Sequence, residues 1–431
     1  MIQQNLKLVR ENVLYKVAVY YSVSERRTIR CQLPESYEGA YGSGCKSLLH
    51  TLHHVCDVTQ GRLECLFHSV GIVISSGTIS NMLNSELSWA KEEQYSILHS
   101  GLVWSAYMQT DSTSNKEKGQ KRTTHILSGV YFSVYYTLRT KSRLAVLEAL
   151  QGAREEVQLQ YTEQTLGFLE AYNIAKSDVQ SLIQYFSDGV VYSLSAFKAI
   201  VHQSINTLAK KKNMFSRVLN AFALSYYYQQ EDIPVVEVLL SDDAPEYKKI
   251  ATQHHALCWI HDARYYNKLT PFIDQHRQLL EQFKEQYWNF YQLLLDFRRI
   301  EPQKKTQIAK EKQEILLKFE EIFTQTTEYN QLDQLIEKTY KKKKHLLAVL
   351  DVAALPLHNN AAELAARRVV RKRDISLHTW SEKGTQTRDA FMSIVETAIK
   401  LGVNPIEYIT NKIRRTKMKD TLADLIQKAY Q

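Results

Sequence analysis

The chain has 431 residues, 44% of them apolar and 23% charged, with a formal net charge of +9. This balance supports a sizeable core and excludes a wholly disordered or fibrous chain. Length alone suggests about two to four structural units. No segment reaches the roughly 18–20 apolar residues of a membrane span. Lys7, Arg10 and Glu11 interrupt the first apolar stretch, so it does not read as a signal peptide, and a soluble, cytoplasmic protein is expected. Cys31, Cys45, Cys56, Cys65 and Cys258 form no CxxC pair, which argues against a disulfide scaffold or a zinc ribbon.

Residues 1–60 are mixed. Val13 to Arg30 alternates and is rich in Val and Tyr, which predicts strands. Gly39, Gly42 and Gly44 mark a loop before a helix over Ser47–Val58. Residues 61–100 predict a short helix (Leu63–Ser69), a turn at Gly71, and a second helix carrying Ile79, Met82 and Leu83, capped by Ser75 or Ser76. Two short helices around a glycine turn have helix-turn-helix form. Read as a DNA-binding segment, it places Ser76, Thr78, Ser80 and Asn81 near the exposed start of a recognition helix. Read plainly, it is a helical hairpin.

Residues 101–270 change period. Strands are predicted at Leu102–Asp111, Thr123–Tyr131 and Phe132–Thr140, followed by a helix over Ser142–Leu150. A mainly helical insertion at about 151–232 precedes a strand at Ile233–Leu240, which runs into Asp242 and Asp243, and a further one at Ala256–Ile260. Residues 271–350 read as a second helical insertion. Leu280, Phe283, Tyr287, Phe290, Leu294 and Phe297 recur at steps of three and four, the seam of a long packed helix that Pro302 would end. Ile315, Phe319 and Ile322 start another helix, and Lys341–Lys344 reads as a solvated basic turn. Residues 351–431 contain a basic helix and a second helix over Asp389–Leu401. From Lys341 to Gln431 there are 18 Lys and Arg against 9 Asp and Glu, so this stretch carries the whole net excess. Such a region suits a polyanion, or simply a solvated helical surface.

Three acids stand out by position: Asp111 and Asp242 at the ends of predicted strands, and Glu363 on the first turn of a helix. Strand ends in α/β sheets share one rim, so such groups can converge. Converging carboxylates are hard oxygen ligands suited to Mg²⁺ or Mn²⁺, and two such ions can clamp a phosphodiester exchange. Each acid also has a structural use: TDST suits a turn, Asp242 and Asp243 precede Ala-Pro, and Glu363 stands three residues after Asn360 and four before Arg367, the spacings of a capping box and a helix ion pair. No nucleotide-cradling glycine loop and no GxSxG elbow is present. His254, His255 and His261 lie near Cys258, but H-H-x-x-C-x-x-H matches no standard zinc signature and reads as packing.

The string PLHNNAAELAARRVV (Pro356–Val370) closely resembles the third-acid motif of bacterial DDE transposases of the insertion sequence 66 type. LLSDDAPEY…HALCWIHDARYYNKL (Leu239–Leu269) resembles the second-acid block, and MQTDSTSN…KSRLAVLEAL (Met108–Leu150), less closely, the first. The resemblance implies an α/β fold of large helical content, with an RNase H-like mixed-sheet core and helical insertions. It implies a metal-dependent enzyme that hydrolyses and transfers strands at the ends of a mobile element. Asp111, Asp242 and Glu363 carry over as the catalytic, metal-binding triad, with Asp243 an alternative to Asp242. His261, Asn359 and Asn360 fall in the motifs as supporting residues, and Arg264, Arg367, Arg368, Arg371, Lys372 and Arg373 as DNA contacts. Double-stranded DNA, both element ends and target, is the implied partner, with a homodimer on DNA in the nucleoid. The first block reads Asp111-Ser112-Thr113-Ser114 where relatives often have Asp-Asp-Thr-Gly, and the cysteine-rich N-terminal zinc module of many members is absent. A catalytically silent DNA-binding descendant is the alternative reading.

Overall fold

The structure is a computed structural model that describes residues 1–34, 37–154, 156–205, 208, 210–301 and 303–431. The Val- and Tyr-rich start forms a small exposed hairpin of β1 (Val19–Ser22) and β2 (Arg27–Arg30). Helices α1 (Ser43–His54), α2 (Gln60–Ser69) and α3 (Ser76–Ser85) then pack around Leu49, Leu63, Phe67, Ile79 and Leu83. Ser75 caps α3 by accepting from the Thr78 amide at 3.2 Å, and Gly71 takes φ +80° in the turn before it, a conformation that favours glycine.

Helix α4 (Leu87–Trp104) leads into the central sheet. Strands β3 (Met108–Glu117), β4 (Gln120–Ser128) and β5 (Ser133–Leu138) form an antiparallel meander, followed by α5 (Arg143–Leu150) with Ser142 as its cap. The expected strand at Leu102–Asp111 is corrected at both ends. Leu102–Trp104 finish α4, because a short apolar run fits either period. The polar stretch after Asp111 continues as strand, because β4 pairs with it through to Glu117. Asp111 therefore lies within its strand rather than at its end.

A mainly helical excursion follows: β6 (Gln158–Gln160), α6 (Glu163–Ala171), α7 (Lys176–Ile183), β7 (Val191–Ser193), α8 (Leu194–Ser204) and α9 (Lys212–Gln229). The chain re-enters the sheet at β8 (Val238–Ser241) and β9 (His254–Leu257). The five strands lie in the order β5-β4-β3-β8-β9, with β8 parallel to both β3 and β9. Leu127, Val134 and Tyr136 face a large core shared with α4, α5 and α9, while Ile126 and Tyr135 face the opposite side.

Helix α10 (Trp259–Asn267) opens the second helical excursion, made of α11 (Asp274–Phe297), α12 (Lys305–Phe323), α13 (Asn330–Tyr340) and α14 (Lys343–Leu346). All six seam residues of α11 are buried as expected, against Phe319, Phe323 and Trp259. The stop expected at Pro302 lies outside the described residues; α11 itself ends at Phe297. Helix α15 (Asn360–Ser376) covers the Ile126–Tyr135 face through Ala365, Ala366 and Val369. Helix α16 (Glu382–Lys400) covers the edge strand: the amides of Ser133, Tyr135 and Thr137 donate to Thr397, Ser393 and Asp389 at 3.1, 3.1 and 2.6 Å. Four residues of helix and two of strand advance by about 6 Å and 6.7 Å, so one helix face caps the whole edge. Helices α17 (Pro405–Ile413) and α18 (Leu422–Tyr430) complete the chain, and among the described residues no helix is long and apolar enough to cross a membrane.

Phe290 is fully buried at the centre of the second excursion. Phe290→Ala is expected to lower stability by about 3–5 kcal/mol, read by urea unfolding, because the surrounding rings can close the void only in part.

Candidate functional site

Register brings the first two acids together. Met108 pairs with Leu239 and Gln109 with Leu240 across parallel strands, so continuing the same offset sets Asp111 beside Asp242. Asp111 is also the cross-strand partner of Ile126, which partners Tyr135, so its side chain points to the face that α15 covers. Glu363 stands in the first turn of that helix. The Asp111 carboxyl is pushed up to about 6, first by burial and further by the charges of Asp242 and Glu363, against the pull of the Ser112 amide at 2.7 Å. Asp242 and Glu363 thus each lie within electrostatic reach of Asp111, although the chain separates the three by more than a hundred residues each time, and among the described residues their oxygens do not all close to within 4.8 Å of one another.

The helix carrying Glu363 is tied down by neutral groups. The Asn359 side chain donates to the Thr110 carbonyl at 2.7 Å, in a buried contact one residue before Asp111. The Ala362 amide donates to Gln109 Oε1 at 3.4 Å, and the Asn359 amide to Cys258 Sγ at 3.3 Å. The capping box foreseen for Asn360 and Glu363 is not formed. The helix starts at Asn360, its cap is Asn359, and the Asn359 side chain reaches across to β3 instead. Nor does Glu363 pair with Arg367: its cation is Arg264 on α10, at 3.3 Å, with His261 Nδ1 at 3.6 Å.

The neighbouring acid is committed elsewhere. Lys342 bridges Asp243 at 3.0 Å and the buried Asp262 at 3.2 Å. Burial works upward on Asp243, yet the bonds and charges of Lys342 and Lys248 hold it below the usual carboxylate range. Among the described residues Asp242 has no such cation; its Oδ1 accepts from the Ala244 amide at 3.2 Å, the Asx-type turn foreseen for this segment. The pair Asp242 and Asp243 therefore divides into an acid open to the site and an acid that anchors α14. The basic run Lys341–Lys344, expected as a solvated turn, is corrected in part by the same observation, since Lys342 is buried between two carboxylates.

The expected DNA contacts separate in the same manner. Arg367 and Arg371 are exposed, one turn apart on α15, and make no ion pair among the described residues. Arg264 is about half exposed. Arg368 and Lys372 instead turn inward: both reach Asp57 at 2.8 Å, and Arg368 also meets Glu396 at 3.0 Å. Arg373 donates to the Ser114 carbonyl at 2.6 Å, holding the end of α15 to β3. On α3, Ser76 and Asn81 are exposed, and Thr78 and Ser80 are half-buried. Sequence reasoning missed Gln109 and Asp57. Neither lies in a motif, and only the register of β3 and the fold of the α1–α2 loop give them a partner.

Three carboxylates are hard oxygen donors suited to a divalent cation. Among the described residues Asp111 and Asp242 make no ion pair, and the buried Asn359 Oδ1 beside them has no hydrogen-bond partner.

Comparison with known proteins bears on this site directly. Residues 229–387 match the family model Transposase IS66 family. The matched stretch contains the second and third acid blocks, so the resemblance read from those motifs holds there; the first block lies outside it. An uncharacterized protein, y4jO, of Sinorhizobium fredii (strain NBRC 101917 / NGR234) is 26% identical over 317 residues, which are 74% of this chain and 94% of the relative. No solved structure matches the chain.

An acid whose pKa in the fold lies above its ordinary 3.8 loses stability as pH rises between the two values. Ionised Asp111 therefore strains the fold above about pH 6. Asp111→Asn is expected to raise the thermal midpoint at pH 7.5, by on the order of 1–2 kcal/mol in free energy, and to leave it nearly unchanged at pH 4. In contrast, Asp57→Ala is expected to cost about 3–5 kcal/mol in denaturant unfolding, because it leaves buried Lys372 without a carboxylate and removes one of the two that hold Arg368.

Proposed function

We propose that this chain is a DNA transposase that hydrolyses and transfers DNA strands at the ends of a mobile element. The observation that supports the reading is the register that sets Asp111 beside Asp242 on the sheet face reached by the helix of Glu363, within a chain whose second and third acid blocks match a transposase family. The sheet supports it too: five strands ordered β5-β4-β3-β8-β9, with β4 antiparallel to the others, follow the plan of an RNase H-like core.

Asp111, Asp242 and Glu363 would hold Mg²⁺ or Mn²⁺. Such ions, when bound, acidify the attacking water or 3′-hydroxyl and stabilise the leaving oxygen of a phosphodiester. The chain's own groups do the rest. Asn359 and Gln109 keep Glu363 in line with Asp111, which fixes the carboxylates before DNA arrives. Arg264 stands against Glu363 with half its surface open, placed to take a phosphate oxygen while it screens the acid. Arg367 and Arg371 present an unpaired cationic face on the same helix and attract the DNA backbone. The three-helix unit α1–α3 presents Ser76 and Asn81 for end recognition in the manner of a helix-turn-helix. Two ends must be processed together, which a homodimer on the nucleoid DNA would supply.

Alanine at Asp111, Asp242 or Glu363 is expected to abolish Mg²⁺- or Mn²⁺-dependent nicking of element-end DNA while leaving most binding intact; normal nicking by all three variants would remove the triad. Binding without nicking by the unaltered chain would favour the silent descendant, in which Ser112 stands where relatives often have an acid. At subsaturating Mg²⁺, activity should fall as pH drops through about 6, where a proton on Asp111 competes with the ion, and saturating Mg²⁺ should move that fall to lower pH. Replacing Arg367 and Arg371 together by Ala should flatten the log–log salt dependence of binding by roughly two. An unchanged slope would take this helix face off the DNA.

A further inference from the structure

The corner where β9 turns into α10 carries a feature the triad does not use. Cys258 is the residue before α10, and His261 stands in its first turn. Cys258 Sγ, a His261 ring nitrogen and a Glu363 carboxylate oxygen all lie within 4.8 Å of one another. We infer that Cys258, His261 and Glu363 form a second cation site, selective for a borderline-soft divalent ion of the Zn²⁺ kind and sharing Glu363 with the triad.

The spacing favours an ion over a hydrogen bond. His261 Nδ1 is buried without a hydrogen-bond partner and stands 3.6 Å from Glu363 Oε1, too far for a hydrogen bond. Two ligands at about 2.0–2.2 Å from a tetrahedral ion stand about 3.4 Å apart, close to that separation. The sulfur is prepared as a ligand as well. The Asn359 amide already donates to it at 3.3 Å, an outer contact that supports an anionic sulfur. Both α10 and α15 begin here, and their N-termini favour the thiolate and the carboxylate. Three protein ligands leave a fourth position for water. A thiolate and an imidazole discriminate against Mg²⁺, which takes oxygen ligands. The sequence hid this site because Cys258 and His261 alone make no metal signature, and the third ligand, Glu363, comes from a helix about a hundred residues away.

The ligand set stands on geometry alone; its effect on nicking rests on the function proposed above. An ion held there draws Glu363 toward sulfur, so Zn²⁺ should inhibit Mg²⁺-dependent nicking. The test titrates the full chain with Co²⁺ at pH 7.5 and follows the near-ultraviolet thiolate-to-cobalt charge-transfer band. One Co²⁺ per chain with that band is expected. Cys258→Ala should abolish the band, and His261→Gln and Glu363→Gln should each weaken binding by at least roughly tenfold. Absence of the band, or its survival in Cys258→Ala on the exposed cysteines, overturns the site. If Cys258→Ala does not fold, unchanged Co²⁺ affinity in His261→Gln, whose ring is partly exposed, overturns it equally. The two readings fail separately: a Co²⁺ site without nicking removes the transposase and keeps the metal site, and nicking without the thiolate band does the reverse.

Discussion

Like charges gathered at one point repel, so the groups that hold them there must be strong without being charged. Around Asp111, Asp242 and Glu363 that task falls to three neutral contacts: the Asn359 side chain on the Thr110 carbonyl, the Ala362 amide on Gln109, and the Asn359 amide on Cys258. The first two grip β3 within two residues of Asp111. The third grips the corner that follows β9. The position of Glu363 is thereby slaved to both halves of the sheet, and the Asp111 carboxyl is raised by its burial first and by the charges of Asp242 and Glu363 second. The cation beside them, Arg264 at 3.3 Å from Glu363, is about half exposed and among the described residues pairs with that acid alone.

The cations are placed accordingly. Lys342 binds Asp243 and Asp262, and Arg368 and Lys372 bind Asp57, all buried or half-buried pairs that join separate parts of the fold. The α1–α2 loop is thus anchored to α15, which orients the N-terminal helices against the helix that bears Glu363. The positive excess of the C-terminal stretch therefore has two uses. Part of it is internal mortar, and the exposed Arg367 and Arg371 remain as the outward face. Counting charges along the chain cannot separate the two, because Arg367 and Arg368 are adjacent and differ only in which side of the helix they occupy.

Much of the architecture was legible where one period dominates. The α11 seam from Leu280 to Phe297 and a serine cap at Ser75 or Ser76 follow from spacing and side-chain chemistry, and the structure shows the seam and takes Ser75 as the cap. The acid motifs were legible because a resemblance named them. Legibility failed where tertiary partners decide. Leu102–Trp104 are helix because α4 continues through them, and Ser112–Glu117 are strand because β4 lies alongside. The edge cap formed by Asp389, Ser393 and Thr397 is a polar stripe that reads as solvent-facing until the free amides of β5 are known to lie opposite. Asn360 had the better local argument as a cap, and Asn359 won because a buried carbonyl on β3 lay within reach.

The second helical excursion bears on the same geometry. It occupies most of the chain between the second and third acids, yet it begins and ends at one place. The Trp259 amide donates to the Leu357 carbonyl at 2.9 Å, and its indole nitrogen to the Leu346 carbonyl at 2.9 Å. Trp259 follows Cys258 directly, and Leu357 precedes Asn359 by two residues, so the excursion is closed by the same corner that receives the helix of Glu363. The fully buried indole packs on Tyr287 and Phe290 of α11. Tyr287 of α11 also donates to the Trp259 carbonyl at 2.9 Å, so the α11 core braces the corner through both the indole and this bond, although no residue of α11 belongs to the triad. The excursion is long, but because its two ends are pinned together the separation of Asp242 and Glu363 is set by a few contacts around Trp259 rather than by the length of chain between them.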